Sequence, residues 1–225
     1  ASLKWMLFEP AQVVVVPLVN QSGYATLDPY RLALTYTLVL ELTDSPNLAV
    51  TSWSQTLERL RGVIGAGGDP SSRQVMQALK PERAGALMLV PKFLNENGRW
   101  RAEVDIQEAG TGAQITTLRT ADRASSFEQN TAYDLMMGLS NEIQQYFSER
   151  RFAAAFTPRL SSRRFDSLDA AKAYEEGIRA FEELEYSRAR EMFNTAAKRD
   201  PLNPMPLAWL SRVLQLMGHR SESRN

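Results

Sequence analysis

The sequence predicts an α/β fold with a mixed sheet flanked by helices, followed by an all-α helical-repeat region. Three observations carry this expectation. The run Val13 to Val16 is continuous, β-branched and apolar, which suits a strand buried on both faces of a parallel sheet. From Trp100 to Ile106 apolar and polar residues alternate strictly, the pattern of an antiparallel strand with one wet side. Near the end, Tyr174, Gly177, Phe181, Tyr186, Ala189, Phe193, Ala196 and Pro201 recur at the spacings of a two-helix unit of ~34 residues. That pattern restarts after Pro201 and stops at Asn225, inside a second unit.

The elements follow in order. Pro17 ends the first strand because it has no amide hydrogen for a ladder. Asp28 followed by Pro29 reads as a helix start, N-cap then first helical position, and the segment to Leu42 is apolar nearly all round, with Tyr30, Leu34, Leu38 and Leu42 as its main stripe. Leu48 to Thr51 reads as a second strand, completing a βαβ unit with a right-handed crossover. Two capping boxes, Ser52 with Gln55 and Ser71 with Gln74, open helices through Leu60 and Leu79. A meander comes next: Ala86 to Leu94, a turn at Asn97-Gly98, the alternating strand, a turn at Thr111-Gly112, then Gln114 to Thr120. Trp100, Ala102, Val104 and Ile106 take one face of the alternating strand, and Arg101, Glu103, Asp105 and Gln107 the other. Ser125 and Glu128 cap a long helix with a stripe of Phe127, Leu135, Leu139, Ile143 and Phe147.

From Glu149 to Arg164 the pattern lapses, while Arg150, Arg151, Arg159, Arg163 and Arg164 gather beside Pro158 and Ser161-Ser162. The chain therefore divides into a leader or juxtamembrane remnant (1–10), an α/β domain (11–149), an Arg-rich connector (150–165) and a helical region (166–225) capped by Asp166 or Ser167. Glu175, Glu176, Glu182, Glu183 and Glu185 crowd the first repeat helix. They read either as a solvated face or as partners of the connector, which makes Arg150, Arg151, Arg163, Arg164, Glu175 and Glu176 the candidate interdomain residues.

Composition narrows the function classes. Lysine plus arginine equals aspartate plus glutamate at 26 each, which removes the broad electrostatic drive toward phosphate backbones, so no nucleic-acid partner is expected. Cysteine is absent, excluding disulfides and thiolate metal sites; this suits an oxidising compartment and many cytosolic domains alike. The single histidine, His219, stands far in sequence from any partner cluster, and no nucleophile, base and orienting group share a recognisable motif. No catalytic residue, cofactor or metal is therefore expected. Gly65-Ala66-Gly67-Gly68 follows a helix and not a strand, so it reads as a flexible loop and not a phosphate cradle. Asn20-Gln21-Ser22-Gly23 lies where ligands approach parallel sheets, and reads more readily as a structural turn. No apolar run approaches the ~20 residues of a membrane span. Leu3 to Phe8 reads as the tail of an upstream span, or as an ordinary first strand or leader.

Several segments together resemble a known family. VVVVPLVNQSG, then a buried helix, then NLAVTSWS resembles the opening of TolB-like amino-terminal domains, and GALMLVPKFLNENGRWRAEVDIQEAGTGAQITTLRTAD resembles that family's three-stranded portion. The likeness covers roughly residues 11 to 150. The helical region resembles tetratricopeptide (TPR) repeats, which stack to bury their apolar faces. Two departures stand out: Leu18 where TolB-like members often carry an aromatic, and Ala173 where repeats usually place a large one, with Tyr174 next to it.

Together the resemblances imply a sensory or scaffolding region of a bacterial signalling protein, whose kinase or winged-helix effector lies elsewhere. They imply a non-catalytic, extracytoplasmic unit with a protein or peptide partner, a small ligand as a further candidate, an upstream membrane tether and a homodimer as one oligomeric option. A soluble cytoplasmic scaffold or periplasmic assembly factor is the alternative. By the register of repeats, partner-facing positions are Tyr174, Ile178, Phe181 and Glu182, with Met205, Ala208 and Arg212 from the second unit.

Overall fold

The structure is a computed structural model that describes residues 10–64, 73–80, 85–124, 129–151 and 165–218. Their order is β1 (Ala11–Val15), β2 (Val19–Gln21), a 3-10 segment (Ala25–Tyr30), α1 (Arg31–Thr43), β3 (Leu48–Val50), α2 (Trp53–Ile64), α3 (Arg73–Leu79), β4 (Leu87–Glu96), β5 (Arg99–Glu108), β6 (Gln114–Arg119), β7 (Arg123–Ala124), α4 (Gln129–Arg151), α5 (Leu168–Glu182), α6 (Tyr186–Arg199) and α7 (Pro204–Leu216). The fold class is mixed α/β. The sheet runs β3-β1-β4-β5-β6, with β1 parallel to β3 and β4, and with β4, β5 and β6 antiparallel. β2 also pairs parallel with β4, and β7 pairs with β5.

Pro17 breaks the first strand as its missing donor requires, but the chain then re-pairs as β2, which the sequence pattern did not reveal. Between the pairs Val15↔Leu89 and Val19↔Lys92 one side spends four residues where β4 spends three. The displaced backbone of Leu18 is satisfied by α1. Its amide donates to Thr35 Oγ1 at 2.8 Å, and its carbonyl accepts from Arg31 Nε at 2.7 Å. Both polar groups are thus paired where the ladder cannot pair them.

Asp28 does not cap α1. Residues Ala25–Tyr30 wind as a 3-10 segment and the α-helix begins at Arg31, because Asp28 Oδ1 is engaged by Asn20 Nδ2 at 2.8 Å. Asn20 Oδ1 in turn accepts from the Ser22 amide and hydroxyl, so the Asn20-Gln21-Ser22-Gly23 stretch is a closed turn. Ser52 does cap α2, accepting from the Gln55 amide. The boxes at Ser71 and Ser125, the loop Gly65 to Gly68, the leader and His219 lie outside the described residues. The β4–β5 turn is built as its Asn-Gly pair demands, with φ of 54° at Asn97 and 76° at Gly98.

The sheet buries both faces, unequally. Val13, Val15, Leu89, Phe93, Trp100, Ala102, Val104 and Ile106 pack with Leu34 and Leu38 of α1 and with Leu135, Leu139, Ile143 and Phe147 of α4. On the other face Val14, Val16, Met88 and Val90 meet Leu60, Val75 and Leu79 from α2 and α3. The face of β5 expected to be wet is partly closed by charge pairing. Asp105 is buried, paired with Lys92 and accepting from Thr117 Oγ1 at 2.7 Å, while Arg101 bridges Glu96 and Glu103 at 2.9 and 2.8 Å.

Ser167 caps α5, its Oγ accepting from the Ala170 amide at 3.1 Å, and Asn203 caps α7 just before Pro204. α5 ends in a left-handed turn at Leu184 (φ 62°), with Glu185 N donating to Ala180 O and Leu184 N to Phe181 O. The α5–α6 crossing is close at Gly177, where an added Cβ would sit 2.7 Å from the Phe193 ring. Aromatic contacts then run through successive layers: Trp53 to Tyr36 (5.8 Å), Tyr36 to Tyr174 (5.8 Å), Tyr174 to Phe193 (5.6 Å) and Phe193 to Trp209 (5.7 Å). One hydrophobic cluster therefore extends from the sheet to Val213 of α7.

Candidate functional site

Helix α5 lies on α1 and α2, and that docking decides which of the expected partner-facing residues remain available. Tyr174 and Ile178 are buried, Tyr174 among Tyr36, Phe165 and Phe193. Glu182 Oε1 accepts from Ser54 Oγ of α2 at 2.7 Å. The face of α5 that the repeat register assigned to a partner is thus occupied within the chain. Phe181 and Met205 are half-buried, whereas Ala208 and Arg212 are exposed on α7.

The exposed members converge with a residue that the sequence reading missed, Trp209. Its ring meets Phe181 edge-on at 5.0 Å, and Phe181 meets Tyr186 at 5.7 Å. The Arg212 guanidinium sits 5.3 Å from the centroids of both Phe181 and Trp209. A cation held over two half-buried rings keeps its donors toward solvent while its stem and the rings present apolar surface. Such a group suits an acidic, aromatic or aliphatic protein segment. Its sequence signal was the i, i+3 pair Trp209 and Arg212 on a helix otherwise free of charge.

Of the expected interdomain residues Glu175 lies in the joint between α5 and α2, and residues that were not among the candidates also hold α5 to the α/β layer. Arg163 and Arg164 lie outside the described residues; Arg150 and Arg151 close α4, and their side chains are likewise outside the description. The Tyr30 hydroxyl donates to Asp169 Oδ1 at 2.8 Å, and this bond, ahead of burial, raises the Tyr30 pKa. Lys172 Nζ lies over the Tyr30 ring at 5.6 Å. Arg199 holds the same end of α5 through the Asp169 carbonyl at 3.2 Å. Glu176 is half-buried, with Lys172 Nζ at 3.9 Å.

Glu175 is the exception to the solvated-face expectation. It is 2 % exposed at the junction with α2, and burial above all pushes its carboxyl up to about 7. Glu176 and Glu183 add to the rise; Arg179 and the Trp53 indole oppose it. Neither Glu175 Oε1 nor Trp53 Nε1 completes a hydrogen bond. Among the described residues no group of three or more His, Cys, Asp or Glu side chains could hold a metal ion, and no helix is long and apolar enough to cross a membrane.

No family model and no curated protein matches the chain. Among solved structures, it is similar to the C-terminal domain of LpoB from Escherichia coli, at 13% identity and a TM-score of 0.38, covering 54% of this chain and 87% of that one. The lipoprotein GNA1162 from Neisseria meningitidis is 14% identical with a TM-score of 0.39, covering 60% and 96% respectively. TolB from Acinetobacter baumannii is 13% identical with a TM-score of 0.32, covering 63% of this chain and 29% of that one. Likenesses at these scores assign neither fold nor function.

Proposed function

We infer that this chain is a non-catalytic protein-interaction unit in which a TolB-like α/β domain carries a TPR-type helical layer, α5 to α7, and offers α7 to a protein or peptide partner. The observation that carries this reading is the division of labour on the helices. α5 is committed to the α/β layer through Tyr174, Glu175 and Glu182, while Phe181, Trp209 and Arg212 form a cation-on-aromatic surface one layer out. Domain bounds at 11–149 and 166–225, with an Arg-rich connector between them, belong to this proposal.

The wider reading places the unit outside the cytoplasm of a bacterium, relaying partner binding to an effector borne elsewhere in a longer protein. The shared hydrophobic cluster favours a platform that moves as one body over one that hinges between its layers. The test is a photo-crosslinking amino acid at exposed Ala208, with one at exposed Gln114 on the far sheet edge as control, in cells that express the full chain. A discrete adduct from position 208, absent from 114 and lost with Arg212→Glu, is the expected result. Equal adducts from both positions, or an adduct indifferent to Arg212→Glu, would refute it.

A further inference from the structure

Two glutamates on one face of α5 meet the first turn of α2, and their surroundings differ. Glu182 is half-buried and accepts from Ser54 Oγ at 2.7 Å. Glu175, two turns earlier, is 2% exposed against Trp53, itself 4% exposed, whose indole N–H faces the carboxyl without completing a hydrogen bond. The groups that act most strongly on the Glu175 carboxyl are Glu176 and Glu183, which disfavour its charge, and Arg179 and Trp53, which favour it. Arg31 and Glu41 of α1 and Glu58, Arg59 and Arg61 of α2 are not among them. Arg31 is held on the Leu18 carbonyl, and α1 meets this corner through Tyr36, whose ring lies 5.8 Å from those of Trp53 and Tyr174. The seam therefore suits a neutral acid better than an anion. An anion has another place to go, because Arg179 is half-buried one turn further along α5, at the acid-first i, i+4 spacing that pairs well on a helix surface.

We propose that Glu175 is a proton-operated latch on this seam, closed while its carboxyl is neutral against Trp53 and opened by ionisation, which releases the proton to solvent, turns the carboxylate toward Arg179 and parts the first turn of α2 from α5. The α1 side of the joint, built on Tyr30 with Asp169 and on Tyr36 with Tyr174, involves neither Glu175 nor Trp53 and stays in place. An open seam exposes an ordinary glutamate near 4.5, whereas the closed seam holds the same carboxyl at about 7, so the closed form binds the proton more tightly. The ratio of open to closed is level below about pH 4.5, rises tenfold per pH unit between the two values and levels off above 7, a gain of about 300-fold in all. The charge change at one side chain thus biases a local opening and leaves the rest of the fold alone.

Hydrogen exchange of the Trp53 indole N–H in the full chain tests the latch, because that group has no acceptor and its protection reports burial alone. Protection is taken relative to free tryptophan at each pH, and loss of the signal in Trp53→Phe identifies it. Between pH 5.5 and 8 protection should fall about 30-fold in the wild type and stay level in Glu175→Gln, which keeps the shape of the side chain. Arg179→Gln should reduce the fall and Arg179→Lys should restore it. Protection that does not change with pH, or that falls equally in Glu175→Gln, overturns the proposal. A fall matched in size and free energy by the best-protected amides of β4 and β5 overturns it too, since global unfolding alone would then release the indole. A fall indifferent to both Arg179 variants overturns the part given to Arg179 in the open state.

Discussion

Replacing Glu175 by glutamine should make the protein more stable, and only above a defined pH. The carboxyl is held at about 7 against 4.5 for an ordinary glutamate, above all because its burial at the α5–α2 junction disfavours the charged form, with the nearby Glu176 and Glu183 adding to the rise. That displacement corresponds to about 3 kcal/mol of differential interaction between its two protonation states. The folded chain binds this proton more tightly than the unfolded chain does. Below about pH 4.5 both states hold it and there is no penalty; between there and about 7 stability falls as pH rises, and above 7 the whole penalty is present. Urea denaturation of wild type and Glu175→Gln across this range is the assay. The two should match near the acid end and diverge to about 2–3 kcal/mol in favour of glutamine near pH 8. A difference that does not change with pH, or a glutamine variant that is weaker at pH 8, would refute the assignment of a carboxylate destabilised by its burial.

Three further outcomes follow from individual contacts. Gly177→Ala should cost about 1–3 kcal/mol, because the new methyl meets the Phe193 ring at 2.7 Å, and Phe193→Leu in the same chain should recover part of the loss in denaturation midpoint. Thr35→Val should cost about 1–3 kcal/mol by orphaning the Leu18 amide that Pro17 pushes off the ladder, read by the same titration. Leu184→Gly should instead stabilise by about 1 kcal/mol, since Leu184 holds φ 62° while its side chain is 70% exposed and packs little; an unchanged or lower midpoint would contradict that.

Strand and helix periodicity were legible where local pattern and burial agree. The alternation from Trp100 to Ile106, the Asn97-Gly98 turn, the α4 stripe at Leu135, Leu139, Ile143 and Phe147 (its first member, Phe127, lies outside the described residues) and the Ser167 cap stand as the sequence expressed them. The misses have a common cause, which is that a tertiary partner outbid a local signal. Asp28 is a good N-cap in isolation, yet Asn20, eight residues upstream, engages its carboxylate. β2 is three residues long and exists because β4 continues past the Pro17 break. Of the candidate site residues, Tyr174, Ile178 and Glu175 carry no mark in the sequence that distinguishes a free helix face from one laid on α1 and α2. Trp209 was overlooked because its role depends on Phe181 from a different helix.

The central claim, that α5 to α7 are mounted on the α/β layer as one cooperative body, is tested most directly by native-state hydrogen exchange of the intact chain. If the aromatic contacts from Trp53 to Trp209 join the layers energetically, the best-protected amides of α5 and α6 should open with the same free energy as those of β4 and β5. Helices that exchange through a separate opening of lower free energy, while the sheet stays protected, would contradict it.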